Sequence, residues 1–356
     1  MKIDRVHFYT RNAARTRDWF IYNLGFKAIG NCINQHTHSE LIALNSVFFV
    51  LSSPLNSTSP VAKYLRSHPS GVVDVAFRVK NIAEIIDRAG SIGVKLLENI
   101  RTWRSQQGNF KYAKIAGWNM QHTLIEASDR ISCCLPNFEF KQYQSDNCYE
   151  SEITSIDHVV LNVAKNKLNS AVKLYQTLFN FRVQQSFEIQ TDKSGLTSQA
   201  LIDEEGEVQF NINQPTSVNS QIQEFIDLNH GSGIQHLALR SQNLIADVTQ
   251  MQQHDLNFLD VPQAYYHQLE SLSCLSSAEQ QAIAKLQILV DRDRHLPESL
   301  LMQIFTKPIF EQPTFFLEFI ERRQEARGFG QGNFEALFEA VEREQEKRVL
   351  SRKGNY

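Results

Sequence analysis

The chain contains one unit twice. Residues 70–79 read SGVVDVAFRV and residues 232–241 read SGIQHLALRS, and upstream of them residues 3–8 (IDRVHF) correspond to residues 156–161 (IDHVVL). A long repeat of this kind constrains the fold more than any composition figure, because each copy is one structural unit whose apolar face is buried against a neighbour. The 356 residues are enough for two such units. The boundary is expected near residue 150, giving domains 1–150 and 151–356.

The two copies differ in their chemistry. The correspondence aligns Arg5 with His158 and Asp74 with His236, and matching residues 122–126 (HTLIE) to 314–318 (TFFLE) aligns Glu126 with Glu318. Two neutral imidazoles and one carboxylate can hold a transition metal on one face and leave other positions open, the arrangement of non-haem Fe(II) oxygenases. An arginine in the first position opposes a cation, so the first copy is expected to be a metal-free scaffold. A lone strand histidine is more often a hydrogen-bonded structural residue than a ligand. Here, however, both histidines occupy matching positions in apolar strands, and Glu318 stands in the apolar run FFLEFI. An unpaired buried charge is costly there, so three such residues that can satisfy one another argue for a shared ion.

With 36 basic and 39 acidic residues and a formal charge of −3, the chain offers no basic field for nucleic acid or an anionic membrane. A small-molecule partner is expected instead. Cys32, Cys133, Cys134, Cys148 and Cys274 are odd in number and lack metal-type spacing, which fits a reducing cytoplasm. The N-terminus MKIDRVHFYT carries charges within its first five residues, so no apolar signal region is expected there, and no apolar span approaches 18 residues.

Apolar alternation predicts strands at 41–51, 72–79 and 123–127, and helical spacing predicts helices at 13–24 and 81–92. The second half repeats the plan, with strands at 157–163, 181–187, 198–202, 208–213 and 234–240 and helices at 167–178 and 243–254. Each half reads as strand, helix and several strands, twice over, an α+β fold. The second copy carries about thirty extra residues, and the polar segment 265–294 is expected as a helix outside the sheet. Residues 128–152 have the composition of a linker. Near the C-terminus, Phe334, Leu337, Phe338 and Val341 form one stripe at helix spacing, preceded by Gly328, Gly330 and Gly332, as a mobile cover over a site would need.

Phe305, Phe315, Phe316, Phe329, Phe334 and Phe338 make the last fifth of the chain dense in rings, which an aromatic ligand would explain. Ser198, Asn213, Gln221, Gln235 and Gln303 are neutral hydrogen-bonding residues on or beside predicted strands, suited to holding a phenol or carbonyl without adding charge.

The segments IDHVVLNV, SQIQEFID, GIQHLAL, LLMQIFTKP, PTFFLEFIERR and GFGQGNFEALFEAVEREQ resemble the 4-hydroxyphenylpyruvate dioxygenase family of the vicinal-oxygen-chelate superfamily, most specifically from about residue 153 to 348. The resemblance implies tandem βαβββ (glyoxalase-like) modules, the C-terminal one an open barrel around one Fe(II), closed by a C-terminal lid helix. It places His158, His236 and Glu318 as iron ligands and Ser198, Asn213, Gln221, Gln235 and Gln303 as polar pocket residues. Phe305 and Phe334 match an aromatic pair that sandwiches the ring, and Phe316, Phe329, Asn333 and Phe338 complete the wall and lid.

The implied reaction is oxidative decarboxylation of 4-hydroxyphenylpyruvate by dioxygen to homogentisate and carbon dioxide, the substrate's own 2-oxo acid chelating the metal. It would serve tyrosine catabolism or supply prenylquinone and tocopherol synthesis, in a homo-dimer or tetramer. One departure is local: where the family carries Pro-Ile-Asn-Glu-Pro, this chain has Asn211-Ile212-Asn213-Gln214-Pro215. Two alternatives remain, a 4-hydroxymandelate synthase and an extradiol catechol dioxygenase. The latter calls for a histidine and tyrosine acid–base pair beside the metal, which the sequence does not offer at convincing positions.

Overall fold

A computed structural model describes residues 1–105, 108–127, 135, 139–140, 150–191, 194–263, 265–266, 274–292, 298–324, 326, 328–330, 332–333 and 340–343. The first half runs β1 (Lys2–Tyr9), α1 (Ala13–Leu24), β2 (Lys27–Ile33), β3 (Thr37–Leu44), β4 (Val47–Pro54), the short α2 (Pro60–Leu65), β5 (Gly71–Arg78), α3 (Ile82–Ser91), β6 (Leu96–Ser105), β7 (Gly108–Ala116), β8 (Gln121–Glu126) and β9 (Glu139–Phe140). The second runs β10 (Ile153–Asn162), α4 (Leu168–Phe179), β11 (Arg182–Gln190), β12 (Gly195–Ile202), β13 (Gln209–Pro215), α5 (Gln221–Leu228), β14 (Gly233–Ser241), α6 (Leu244–Gln253), α7 (Ser277–Leu286), β15 (Leu289–Arg292), β16 (Leu300–Phe305) and β17 (Phe316–Arg323).

These strands make two sheets of matching order, β6-β7-β8-β5-β1-β4-β3-β2-β9 and β11-β12-β13-β10-β14-β17-β16-β15. Each sheet joins two βαβββ units through a central antiparallel pair, β1 with β5 and β10 with β14. The duplication extends to irregularities: the bulge between Ile3 and Arg5 recurs between Ile156 and His158, and the one between His7 and Phe8 recurs between Val160 and Leu161. A bulge re-aims the side chain beside it. Helix starts are repeated too, with Asn81 capping α3 and Asn243 capping α6 by accepting from the backbone N–H three residues on.

Because strand side chains alternate between faces, Val159 and Leu161 of β10, Leu237 and Leu239 of β14 and Leu317 and Phe319 of β17 point into the main core, which also takes Phe8, Phe49 and Phe77 from the first sheet. The intervening residues His158, His236 and Glu318 are thereby presented to the opposite, concave face.

Three expectations need correction. The ladder pairs Asp74 with Gln121 as it pairs His236 with Phe316, which places Thr123, not Glu126, at the position of Glu318. Glu126 instead accepts from the Ile82 N–H at the start of α3, and Glu321 does the same for Leu244 at the start of α6, so these two glutamates are the true counterparts. The segment 265–294 includes the expected helix, α7, closed by a capping box at Ser276 and Glu279. It also supplies β15, which forms the edge of the second sheet. Phe315, counted with the site rings, lies in the core against Phe8.

Of the linker segment, the described residues 139–140 extend the first sheet along β2. Cys133, Cys134 and Cys148, and Phe334, Leu337 and Phe338 of the C-terminal stripe, lie outside the described residues, while 332–333 and 340–343 are helical. Among the described residues no helix is long and apolar enough to cross a membrane.

Candidate metal centre

His158, Ala238 and Glu318 stand side by side on three adjacent strands, β10, β14 and β17. Ala238 is small enough for the flanking side chains to meet across it: His158 Nε2 lies 3.2 Å from Glu318 Oε2. His236, two residues before Ala238 on the same face, brings its Nε2 to 3.4 Å from the same oxygen. The three ligand atoms lie within 4.8 Å of one another and all three residues are buried. Two imidazole nitrogens and a carboxylate oxygen converging in this way fit a divalent transition metal.

The surroundings hold each of the three in place. His158 Nδ1 meets Asp157 Oδ1 at 3.0 Å, and Asp157 is gripped through both oxygens by Arg322 at 2.7 and 2.8 Å. The remaining Arg322 nitrogen donates to the carbonyls of Ala326 and Gly328. Gln303 Nε2 donates to Glu318 Oε1 at 2.8 Å and to the Phe329 carbonyl, while its Oε1 accepts from Asn333, which in turn accepts from the Tyr265 hydroxyl. The His236 ring stacks on Phe316 at 4.6 Å, and Phe329 sits edge-on to His158.

Burial alone would push both imidazoles towards neutrality. For His158 the two carboxylates of Glu318 and Asp157 outweigh burial and raise its pKa to about 9. His236 has Glu318 as its one acidic partner and is opposed by His158, so burial prevails and its pKa is lowered. Glu318, buried but facing two imidazoles, is held down at about 2. Arg322 and His158 hold the Asp157 carboxyl below the usual range despite burial. Protons alone would thus leave one on His158, where a metal needs a free nitrogen lone pair.

The three residues share one pocket with Ser198, Asn213, Gln221, Gln235, Gln303, Phe305, Phe316 and Phe329. β12, β13, α5, β14 and β16 supply hydrogen-bonding groups, with Ser198 directly opposite Asn213, while Phe305 comes from β16, Phe316 from β17 and Phe329 from the segment after it. Asn333 is joined to this wall through Gln303; Phe334 and Phe338 lie outside the described residues. The sequence reading passed over Val160, Ile189, Leu196, Asn211, Ile222 and Val341 as pocket lining, and over Asp157 and Arg322 as supports. The acidic neighbour of His158 was visible in the run IDHVVL; its arginine, far along the chain, was not.

The model of the Glyoxalase/Bleomycin resistance protein/Dioxygenase superfamily matches residues 155–270. An uncharacterized protein of Synechocystis sp. is 33% identical over 344 residues, 96% of this chain and 97% of its own. A 4-hydroxyphenylpyruvate dioxygenase of Yarrowia lipolytica is 32% identical over 367 residues, 97% of this chain and 92% of that one. Among solved structures, a mutant 4-hydroxymandelate synthase from Streptomyces coelicolor superimposes with a TM-score of 0.86 at 25% identity, covering 97% of this chain and 98% of the other.

Proposed function

The chain belongs to the 4-hydroxyphenylpyruvate dioxygenase family and is a dioxygenase of the vicinal-oxygen-chelate superfamily, and from that premise we propose that it converts 4-hydroxyphenylpyruvate and dioxygen to homogentisate and carbon dioxide with one Fe(II) per chain. The observation that carries the proposal is the buried convergence of His158, His236 and Glu318 in a pocket lined by aromatic rings and neutral amides. A cytoplasmic homo-oligomer divided near residue 150 is part of the same proposal.

The Fe(II) would act as Lewis acid and redox centre, binding the 2-oxo acid group and activating dioxygen. His158, His236 and Glu318 would hold it through their three converging ligand atoms. Gln303 fixes the Glu318 carboxylate so that one oxygen stays turned towards the imidazoles. Phe305, Phe316 and Phe329 keep water from the reacting atoms. Ser198, Asn213, Gln221 and Gln235 orient the hydroxylated ring by hydrogen bonds that add no charge, and Asn333 braces the wall through Gln303.

The likeness to a 4-hydroxymandelate synthase supports a second reading, in which the same substrate is oxidised at the benzylic carbon. Incubating the Fe(II)-loaded protein with 4-hydroxyphenylpyruvate, ascorbate and air, then identifying the product by mass spectrometry, separates the two. Homogentisate is expected. Hydroxymandelate would transfer the proposal to the second reading, and absence of oxygen uptake by the iron-loaded protein would end both.

A further inference from the structure

We propose that Asn211 is a specificity residue of this pocket, its carboxamide oxygen accepting a hydrogen bond from a hydroxyl group on the ring of the bound 2-oxo acid. The inference rests on the functional reading above and adds to it the residue that reads the ring substituent.

Asn211 lies on β13, lines the pocket and is only 6% exposed, yet its Oδ1 has no hydrogen-bond partner among the described residues. Two residues along the same face, Asn213 Nδ2 donates to Asn162 Oδ1 at 3.3 Å. Asn162, opposite Asn213 on β10, is fully buried, and its Nδ2 is likewise without a partner. One acceptor and one donor therefore stand unpaired at diagonal positions on neighbouring strands. Buried polar atoms are seldom left so. A hydroxyl can donate, so an O–H placed in the pocket beside Asn211 satisfies its Oδ1. A ring C–H does not, and a carboxylate cannot donate to Asn211.

The position suits the far end of a chelated substrate. Asn211 shares a cross-strand row with Val160 and His236, which puts it two strand spacings, roughly 10 Å, from the metal ligand. A 2-oxo acid bound at the metal through its carboxylate and keto oxygen carries its para substituent over that kind of span. Val160, between them, offers the apolar surface on which the ring lies. Proline, which the family carries at this position, has no side-chain acceptor.

The test compares the Fe(II)-loaded wild-type chain with Asn211→Leu, which keeps the volume and removes both polar atoms, and with Asn211→Ala. Two ligands are used: 4-hydroxyphenylpyruvate as substrate, and phenylpyruvate, which lacks the ring hydroxyl, as competitor. The expected result is a rise of about tenfold in KM for 4-hydroxyphenylpyruvate in both variants, with the phenylpyruvate inhibition constant changed less than twofold. Equal weakening of both ligands would mean that Asn211 only shapes the pocket and would overturn the proposal. No change in either would assign the unpaired atoms to water and overturn it equally. A wild-type chain that binds iron but does not turn over 4-hydroxyphenylpyruvate would instead sink the functional reading, and this inference with it.

Discussion

Ala238 carries a single methyl group between His158 and Glu318, and that methyl decides whether the two can approach. Replacing it with leucine drives a branched side chain into the space where the ligand atoms meet. Overpacking of this kind costs about 1–3 kcal/mol, which a chain of this size tolerates. The expectation for Ala238→Leu is a folded protein that no longer binds metal; a cobalt(II) titration followed by d–d absorption reads the loss, and wild-type affinity in the variant would remove these residues as ligands. Asp157 acts one step away. Its carboxylate fixes the His158 ring and is itself neutralised by Arg322, so Asp157→Asn should weaken metal binding by about 10–100-fold, seen in the same titration. The raised pKa of His158 adds a pH dependence with a definite sign. Below that pKa a proton competes for the imidazole nitrogen, so affinity should climb as pH rises from about 6.5 to 8.5, by at most ~10-fold per unit, with proton release on binding. An affinity flat across that range would show that His158 is already neutral.

The elements that place these residues follow from short-range patterns, and so most of the fold was legible before any coordinates. The paired runs SGVVDVAFRV and SGIQHLALRS became β5 and β14, and the histidines fell on one face because strand side chains alternate. What misled was local likeness without a register. HTLIE and TFFLE both end in glutamate, but Glu126 reaches a helix start while Glu318 turns into the pocket, and only the ladder distinguishes them. The edge strand β15 was missed because LVDR is too short to display a period. The C-terminal segment is tied to the site wall through Gln303. Gly330 has φ +74°, and a Cβ built there would lie 1.8 Å from Gln303 Oε1, the atom that accepts from Asn333. Gly330→Ala should therefore force this segment off Gln303 and lower kcat/KM for the proposed substrate by about tenfold or more, since catalytic groups tolerate little misplacement. Metal affinity should stay within a few-fold. Unaltered turnover would show that the segment does not need this contact.

Across the whole molecule the two sheets share one core and behave, on this reading, as one folding unit. Phe8 of the first half packs edge-on against Phe315 of the second, Phe77 against Phe179, and the buried His122 shares a 3.0 Å hydrogen bond with Tyr175 of α4. Burial lowers the pKa of His122, so its ring is neutral and depends on that partner; Tyr175→Phe should cost about 1–3 kcal/mol. The first half therefore has a physical task, that of covering rings of the second half. All three tryptophans, Trp19, Trp103 and Trp118, belong to the first half, whereas the candidate ligands are all in the second. Tryptophan fluorescence consequently reports mainly on the half that carries none of the candidate ligands, with Trp118 also donating to Ser232 of the second half. If the halves unfold together, cobalt(II) at about 100 times its Kd should stabilise the fluorescence transition by roughly 2.7 kcal/mol, the full linkage value. A fluorescence midpoint that ignores the metal, while a probe of the second half shifts, would show two independent domains and leave the scaffold role without support.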